Sequence, residues 1–434
     1  MRPTKVVIIG AGSADFGPGM LADVLAKPEF RGSTLSLVDT DEERLNLMKG
    51  LAMRMSEEWG TGAKVEATTD RTRALPETEF VLVAIEVERM KRWQMDFEVP
   101  LKHGLRQPFS ENGGPGGFAH GARNIALVTG ICKDMREFCP DAWFFNYTNP
   151  VPRITLAAFK YGGVKAAGFC HGIGIAYENV SKLLDIPEED LDIKAAGLNH
   201  FTWILDVRRQ STEEDLYPVL RDKVNDWPEG FLPLTRDLLE LTDLYPVCSD
   251  SHIAEYLQWM CDPQTEPWKK YRLNPPHLGR RREDHRDRRM LELAELAEGK
   301  GSIDEYQEGS GEKAVDTLMA IVQNSNSYEL AINIPNEGYI PNLPHNAIVE
   351  VPALVSAIGI RGVPMGELPE PVGELCRRQV AIAELAVKAA ATGDRRAALH
   401  ALVMDPMVTD IEQAKGILED YLKVHGDLLP QFRQ

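Results

Sequence analysis

The sequence predicts an α/β protein: a Rossmann-like, doubly wound parallel sheet followed by a mixed α+β carboxyl-terminal lobe. Three observations carry that prediction. Lys5 to Ile9 is a β-branched run followed at once by G-A-G-S, then by a stretch from Pro18 to Lys27 whose Met20, Leu21, Val24 and Leu25 share one helical face. A second run, Thr34 to Val38, ends at Asp39. Phe80 to Ile85, Ala142 to Asn146 and Val164 to Phe169 are short apolar runs of the kind that parallel sheets bury on both faces.

Strand, glycine turn and helix in that order make a dinucleotide site. Gly10 permits the tight turn, and Gly12 lets the backbone approach a pyrophosphate at the helix N-terminus. Ser13, Ala14, Asp15 and Phe16 complete the predicted cofactor loop, with Asp15 standing where a third glycine is usual. Asp39 can accept bonds from ribose hydroxyls and would repel a ribose phosphate, so NAD is expected rather than NADP. It lies 27 residues past Gly12, beyond the usual spacing of about 20, which a longer helix and loop would absorb.

At 434 residues the chain suggests two lobes, divided at 1–195 and 196–434. A net charge of −18 argues against nucleic acid or an anionic membrane as partner. Six cysteines lie scattered with no C-x-x-C pair, which suits a reducing cytosol. The start, M-R-P-T-K-V-V-I-I-G, leaves no room for a signal peptide, and no apolar run approaches a membrane span. A cytoplasmic globular protein is the expectation.

Two segments carry the chemistry. G-F-C-H-G holds Cys170 and His171 after a strand, with a helix expected from about Ile175 to Leu184; G-L-N-H-F holds Asn199 and His200. A cysteine after a strand is most often a packing residue, and a histidine there a hydrogen-bonded core residue. Their joint occurrence behind a dinucleotide fold favours a divalent metal instead, with coordination positions left open to substrate. Between the third and fourth strands lies a glycine-dense loop, Ser110 to Asn124, leading into a helix from near Gly117 to Phe138. N-Y-T-N-P then puts Asn146 and Asn149 at the carboxyl edge of the sheet, where open α/β sheets bind ligands.

The ordered segments G-A-G-S-A-D-F, G-P-G-G, N-Y-T-N-P, G-F-C-H-G and G-L-N-H-F resemble those of glycoside hydrolase family 4. The later N-L-P-H-N-A-I-V-E-V-P, M-D-P and H-G-D extend that resemblance over essentially the whole chain. It implies hydrolysis of a small-molecule glycoside through NAD and a divalent metal, usually Mn²⁺, outside the usual two-carboxylate mechanism. By motif, Cys170 and His200 are the implied metal ligands, and Asn149, His171 and Asn199 face the sugar. His171 occupies the place where phosphosugar members carry Asp or Asn, which implies an unphosphorylated α-glucoside, galactoside or uronide. The segment V-C-S-D-S-H-I-A-E-Y resembles the family's base-bearing stretch, and Asp250 is the implied catalytic base, with Tyr245, His252 and Tyr256 as alternatives. His171 is the implied proton donor to the leaving group. The resemblance also implies a homodimer or homotetramer.

From about residue 203 the pattern reads as long helices with proline-rich loops. Leu278 to Arg289 is a charged run read as a solvated helix face; Arg280, Arg281 or Arg282 meeting a substrate carboxylate is its alternative. Glu308 to Val315 reads as a loop entering a pocket-lining helix, Ala331 to Pro335 and Ala347 to Val351 as strands, and Leu375 to Thr392 and Asp410 to Val424 as amphipathic helices. A sugar or hydroxy-acid dehydrogenase with net NADH formation is the competing reading, because the nucleotide fold resembles that of lactate and malate dehydrogenases. Those enzymes lack a metal-binding cysteine at this place.

Overall fold

The computed structural model describes residues 1–273 and 281–433. The first half holds β1 (Lys5–Ile9), helix α1 (Gly17–Leu25), β2 (Thr34–Val38), α2 (Glu42–Glu58), β3 (Lys64–Thr68), β4 (Phe80–Val83), α3 (Arg89–Lys102), α4 (Gly114–Phe138), β5 (Trp143–Asn146), β6 (Lys165–Gly168) and α5 (Gly172–Leu184). Strands β3-β2-β1-β4-β5-β6 lie side by side in that order, all parallel. The apolar runs predict all of them but β3, whose K-V-E-A-T is a partly exposed edge. Side chains alternate across the sheet. Val6 and Ile8 pack with Leu21, Leu25 and Met48 on one face, while Val7 and Ile9 pack with Phe118, Ile125 and Val128 on the other. Each such fully buried side chain contributes about 1.5–3 kcal/mol.

The second half continues the same sheet. It holds β7 (Leu191–Leu198), β8 (Phe201–Arg209), α6 (Pro233–Thr242), α7 (Arg281–Ala297), β9 (Ser327–Pro335), β10 (Ile348–Ser356), β11 (Gly359–Gly362), α8 (Glu370–Thr392) and α9 (Ile411–Val424). Beyond β6 the order is β9-β10-β7-β8, with β11 on β10, and every one of these pairings is antiparallel. A division at 195/196 falls inside β7, and the two halves share one 11-stranded sheet. Residues 203–209 are strand rather than the start of a helical region, because Phe201–Arg209 folds back on β7 as a hairpin. Helices α4, α5 and α8 begin earlier than their apolar periodicity suggests, at Gly114, Gly172 and Glu370. Glycine and proline in the first turn hide the start of α4 from a periodicity reading. Among the described residues, no helix is long and apolar enough to cross a membrane.

Candidate active site

The site lies along the carboxyl ends of β1, β6 and β7. At β1, the chain turns with Gly10 at φ +89°, where an added Cβ would sit 2.0 Å from the Ala84 carbonyl oxygen. Gly12 N–H donates to Asp39 Oδ2 at 2.8 Å, and Asp39 Oδ1 accepts from Asp41 N–H at 3.0 Å. Asp39 therefore closes the loop as well as ending β2. Ser13 Oγ accepts from Phe16 N–H, and α1 begins after Phe16 with no side-chain cap, leaving backbone donors of its first turn for an anionic ligand. Ala14 is buried, while Asp15 pairs with Arg286 of α7 at 3.3 Å. Leu278, Gly279 and Arg280, and the side chains of Arg281 and Arg282, lie outside the described residues.

Cys170 follows β6, and His200 occupies the second place of the two-residue turn between β7 and β8. His200 takes a left-handed backbone, φ +63°, a strained conformation for a residue with a Cβ. The turn brings Cys170 Sγ and His200 Nε2 to 3.4 Å. Burial lowers the His200 pKa well below its ordinary value and the neighbouring His252 lowers it further, so the imidazole stays neutral and can offer a lone pair. Burial, with the nearby carboxylates of Glu312 and Glu350, pushes the Cys170 thiol up; a bound cation is what would release its proton. His200 Nδ1 is buried without a hydrogen-bond partner. Among the described residues, no group of three His, Cys, Asp or Glu side chains could hold an ion. One sulfur and one nitrogen donor thus suit a metal whose other positions are filled by water or substrate.

Asn199 is bound on its donor side, while its Oδ1 has no hydrogen-bond partner. Its Nδ2 donates to Glu350 Oε1 at 2.8 Å and its side chain engages Cys170, so it also holds the turn. Glu350 is buried and also accepts from Thr202 Oγ1 at 2.5 Å and Asn333 Nδ2 at 3.0 Å. Asn149 does lie at the sheet edge, before a cis peptide to Pro150, and its Nδ2 stands 3.4 Å from Glu111 Oε1. Burial pushes Glu111 up, but the Arg89 guanidinium at 2.5 Å, with His252 and His120, outweighs it and keeps the carboxylate ionised.

His171 caps α5 and is 55 % exposed, with Nδ1 3.1 Å from Glu312 Oε1. That bond raises the His171 pKa against the lowering effect of burial. Glu312 sits in a loop fastened to the dinucleotide helix: Ser310 N–H and Oγ both donate to Asp23 of α1, at 2.8 and 2.5 Å. A cleft of about 480 Å³ runs from the dinucleotide loop to His171, lined by Asp15, Phe16, His171, Arg289, Tyr306 and Glu312 among others.

Asp250 does not reach this cluster. Its Oδ2 accepts from Leu234 N–H at 2.8 Å, and its Oδ1 accepts from Thr235 N–H at 2.9 Å and Thr235 Oγ1 at 2.7 Å. Both oxygens meet the first turn of α6 and anchor it. From the same segment His252 does reach the site, stacked on His200 with ring centroids 4.1 Å apart. Glu111, Glu312 and Glu350 carry no signal of their own in the sequence. Each lies inside a segment that stands out for other reasons: the glycine-dense loop, E-G-S-G-E and N-L-P-H-N-A-I-V-E-V-P.

Residues 5–186 match the family described as Family 4 glycosyl hydrolase, and residues 195–408 match its C-terminal domain. The chain is 32% identical to an alpha-glucosidase of Erwinia rhapontici, covering 93% of each. It is 30% identical to an alpha-galactosidase of Rhizobium meliloti, covering 100% of this chain and 90% of the relative. Among solved structures, a 6-phospho-alpha-glucosidase from gut microorganisms in complex with NAD and Mn²⁺ superposes with a TM-score of 0.84 at 24% identity, covering 100% of both chains.

Proposed function

This chain belongs to family 4 of the glycosyl hydrolases, and on that premise we propose that it hydrolyses α-glycosides of an unphosphorylated hexose or hexuronic acid using NAD and Mn²⁺. The observation that carries the proposal is the Cys170–His200 pair at 3.4 Å, next in the chain to His171, which lines one cleft with Asp15 and Phe16 of the dinucleotide loop. The glucosidase and galactosidase relatives support an unphosphorylated glycone, as does the Glu312 carboxylate beside His171.

When bound, the dinucleotide and the metal supply reversible hydride exchange at C3 of the sugar and an electropositive contact for its oxygen, which together acidify the C2 proton. Cys170 and His200 hold the metal, and Glu350 orients them through Asn199. Gly12, Ser13 and the open first turn of α1 receive the pyrophosphate, while Asp39 takes the ribose hydroxyls. Asn149 binds a sugar hydroxyl. His252 is the proposed acceptor of the C2 proton, with Asp250 anchoring its segment. His171 donates a proton to the departing glycosidic oxygen. Water then adds at C1, and the cofactor ends as it began.

A panel of α-linked nitrophenyl glycosides tests this, assayed with NAD⁺, Mn²⁺ and a thiol reductant and then with each omitted. Nitrophenol release that needs NAD⁺ and Mn²⁺, with no net NADH, is the expected result. Steady NADH accumulation without nitrophenol would move the chain to the dehydrogenases.

A further inference from the structure

His171 lines the cleft, yet nothing in α5 holds its ring. It stands 55% exposed at the helix N-terminus and makes no capping bond there. An imidazole so placed has several staggered orientations open to it, and proton transfer tolerates little such freedom. Among the described residues its side chain has one hydrogen-bond partner, Glu312, with Nδ1 3.1 Å from Oε1.

Glu312 is the fixed member of this pair. Its side chain is 6% exposed, and Oε2 is shut away with no hydrogen-bond partner. A buried carboxylate with a single contact is costly to keep. The loop that carries it is built onto the dinucleotide helix. Gly309 and Gly311 take left-handed backbones, φ +74° and +77°. Between them, Ser310 donates through N–H and Oγ to Asp23, and Glu312 N–H donates to Ser310 Oγ at 3.1 Å. Gly19 of α1 lets the loop come close, since an added Cβ there would lie 2.9 Å from Ser310 Cβ. The pinned backbone and the burial of the side chain together set where the carboxylate stands.

We infer that Glu312 is a positioning residue for His171: it takes Nδ1 and so turns Nε2 toward the departing glycosidic oxygen. This rests on the proposed glycosidase activity and adds a residue to it. The bond made by one ring nitrogen decides what the other can do. Glu312 itself touches no reacting atom and acts through the imidazole alone. Its effect therefore falls on departure of the leaving group, and most on leaving groups that need a proton to depart.

The test measures kcat and KM for a methyl and a nitrophenyl α-glycoside of the preferred sugar, in the parent, Glu312→Ala, Glu312→Gln, His171→Ala and the double variant Glu312→Ala/His171→Ala. Glu312→Ala should lower kcat on the methyl glycoside by about tenfold to a hundredfold, with KM little changed. On the nitrophenyl glycoside the loss should stay below about threefold, because that leaving group departs without a proton. Glu312→Gln keeps an acceptor for Nδ1 and should recover at least about threefold of the loss. In the His171→Ala background, Glu312→Ala should cost nothing further. A second readout needs no turnover: nitrogen-15 histidine NMR of the parent should show a hydrogen-bonded proton on His171 Nδ1 that Glu312→Ala abolishes. Equal losses on both glycosides, a cost that adds to that of His171→Ala, or an Nδ1 signal unmoved by Glu312→Ala overturns the inference. If no glycoside is hydrolysed, the glycosidase reading fails, and the NMR signal still decides whether Glu312 holds the ring.

Discussion

Cys170 Sγ and His200 Nε2 meet at 3.4 Å although their strands are not neighbours: β9 and β10 run between β6 and β7. One row crosses these four strands, Gly168 to Asn333 to Glu350 to Gly197. Neighbouring strands are spaced about 4.8 Å, so the two side chains must lean toward each other over this row. Glu350 fixes that lean, joining Asn333 to Asn199 through one buried carboxylate.

Cys170→Ser and His200→Ala should therefore each weaken Mn²⁺ binding by about a hundredfold or more, and Glu350→Gln by about tenfold, through misorientation of the turn. Calorimetric titration of the three variants checks this. Unchanged metal affinity in Cys170→Ser would remove the cysteine from the site.

Asp39 holds Gly12 N–H, and in the proposed function it takes the ribose hydroxyls. Bonds to a charged group contribute about 1.5–3 kcal/mol. Asp39→Ala should weaken NAD⁺ binding by roughly ten- to a hundredfold and narrow the preference over NADP⁺, read by fluorescence titration of both dinucleotides.

The anchor and the base separate by substitution. Asp250→Asn should lower stability by about 1–2 kcal/mol, the scale of a lost helix-terminus bond, and change kcat little. His252→Gln should leave stability near the parent and reduce kcat by about a hundredfold or more. Denaturant unfolding and steady-state kinetics on both variants decide it. The opposite pattern, kcat lost with Asp250→Asn and kept with His252→Gln, would return the base role to Asp250.

Burial pushes the Asp23 carboxyl up from its ordinary 3.8 to about 6, with Ser310 opposing the rise. Between those values the folded chain keeps a proton that the unfolded chain has released. Folding stability from this group therefore falls as pH climbs through that window, and the loss is complete above it. The displacement corresponds to about 3 kcal/mol. Asp23→Asn does not titrate, so its urea midpoint relative to the parent should climb from pH 4 to pH 6 and then level off. A difference that is constant with pH would contradict this.

Five of the six parallel strands were legible because they are continuous apolar runs; β3, K-V-E-A-T at the sheet edge, is not one and was missed. Asp39, Cys170 and Asn149 all sit just past strand ends, where a sequence reading can place them. The antiparallel half was harder: β8 returns as a hairpin, and β9 and β10 insert between β6 and β7 from more than a hundred residues downstream. Glu350 and Glu312 reach the site through that insertion and through the loop pinned to Asp23, so the sequence marked their segments but not these two residues. Asp250 shows a related limit of local reading. A carboxylate in a promising segment says nothing about which way it faces, and here it faces the first turn of α6.

The most direct test of the central claim is isotopic. Hydrolysis of the preferred α-glycoside in D₂O, with NAD⁺ and Mn²⁺ present, should place deuterium at C2 of the released sugar, because the C2 proton leaves and returns from solvent. A sugar released with C2 still fully protonated, together with no isotope effect from C2-deuterated substrate, would contradict the account.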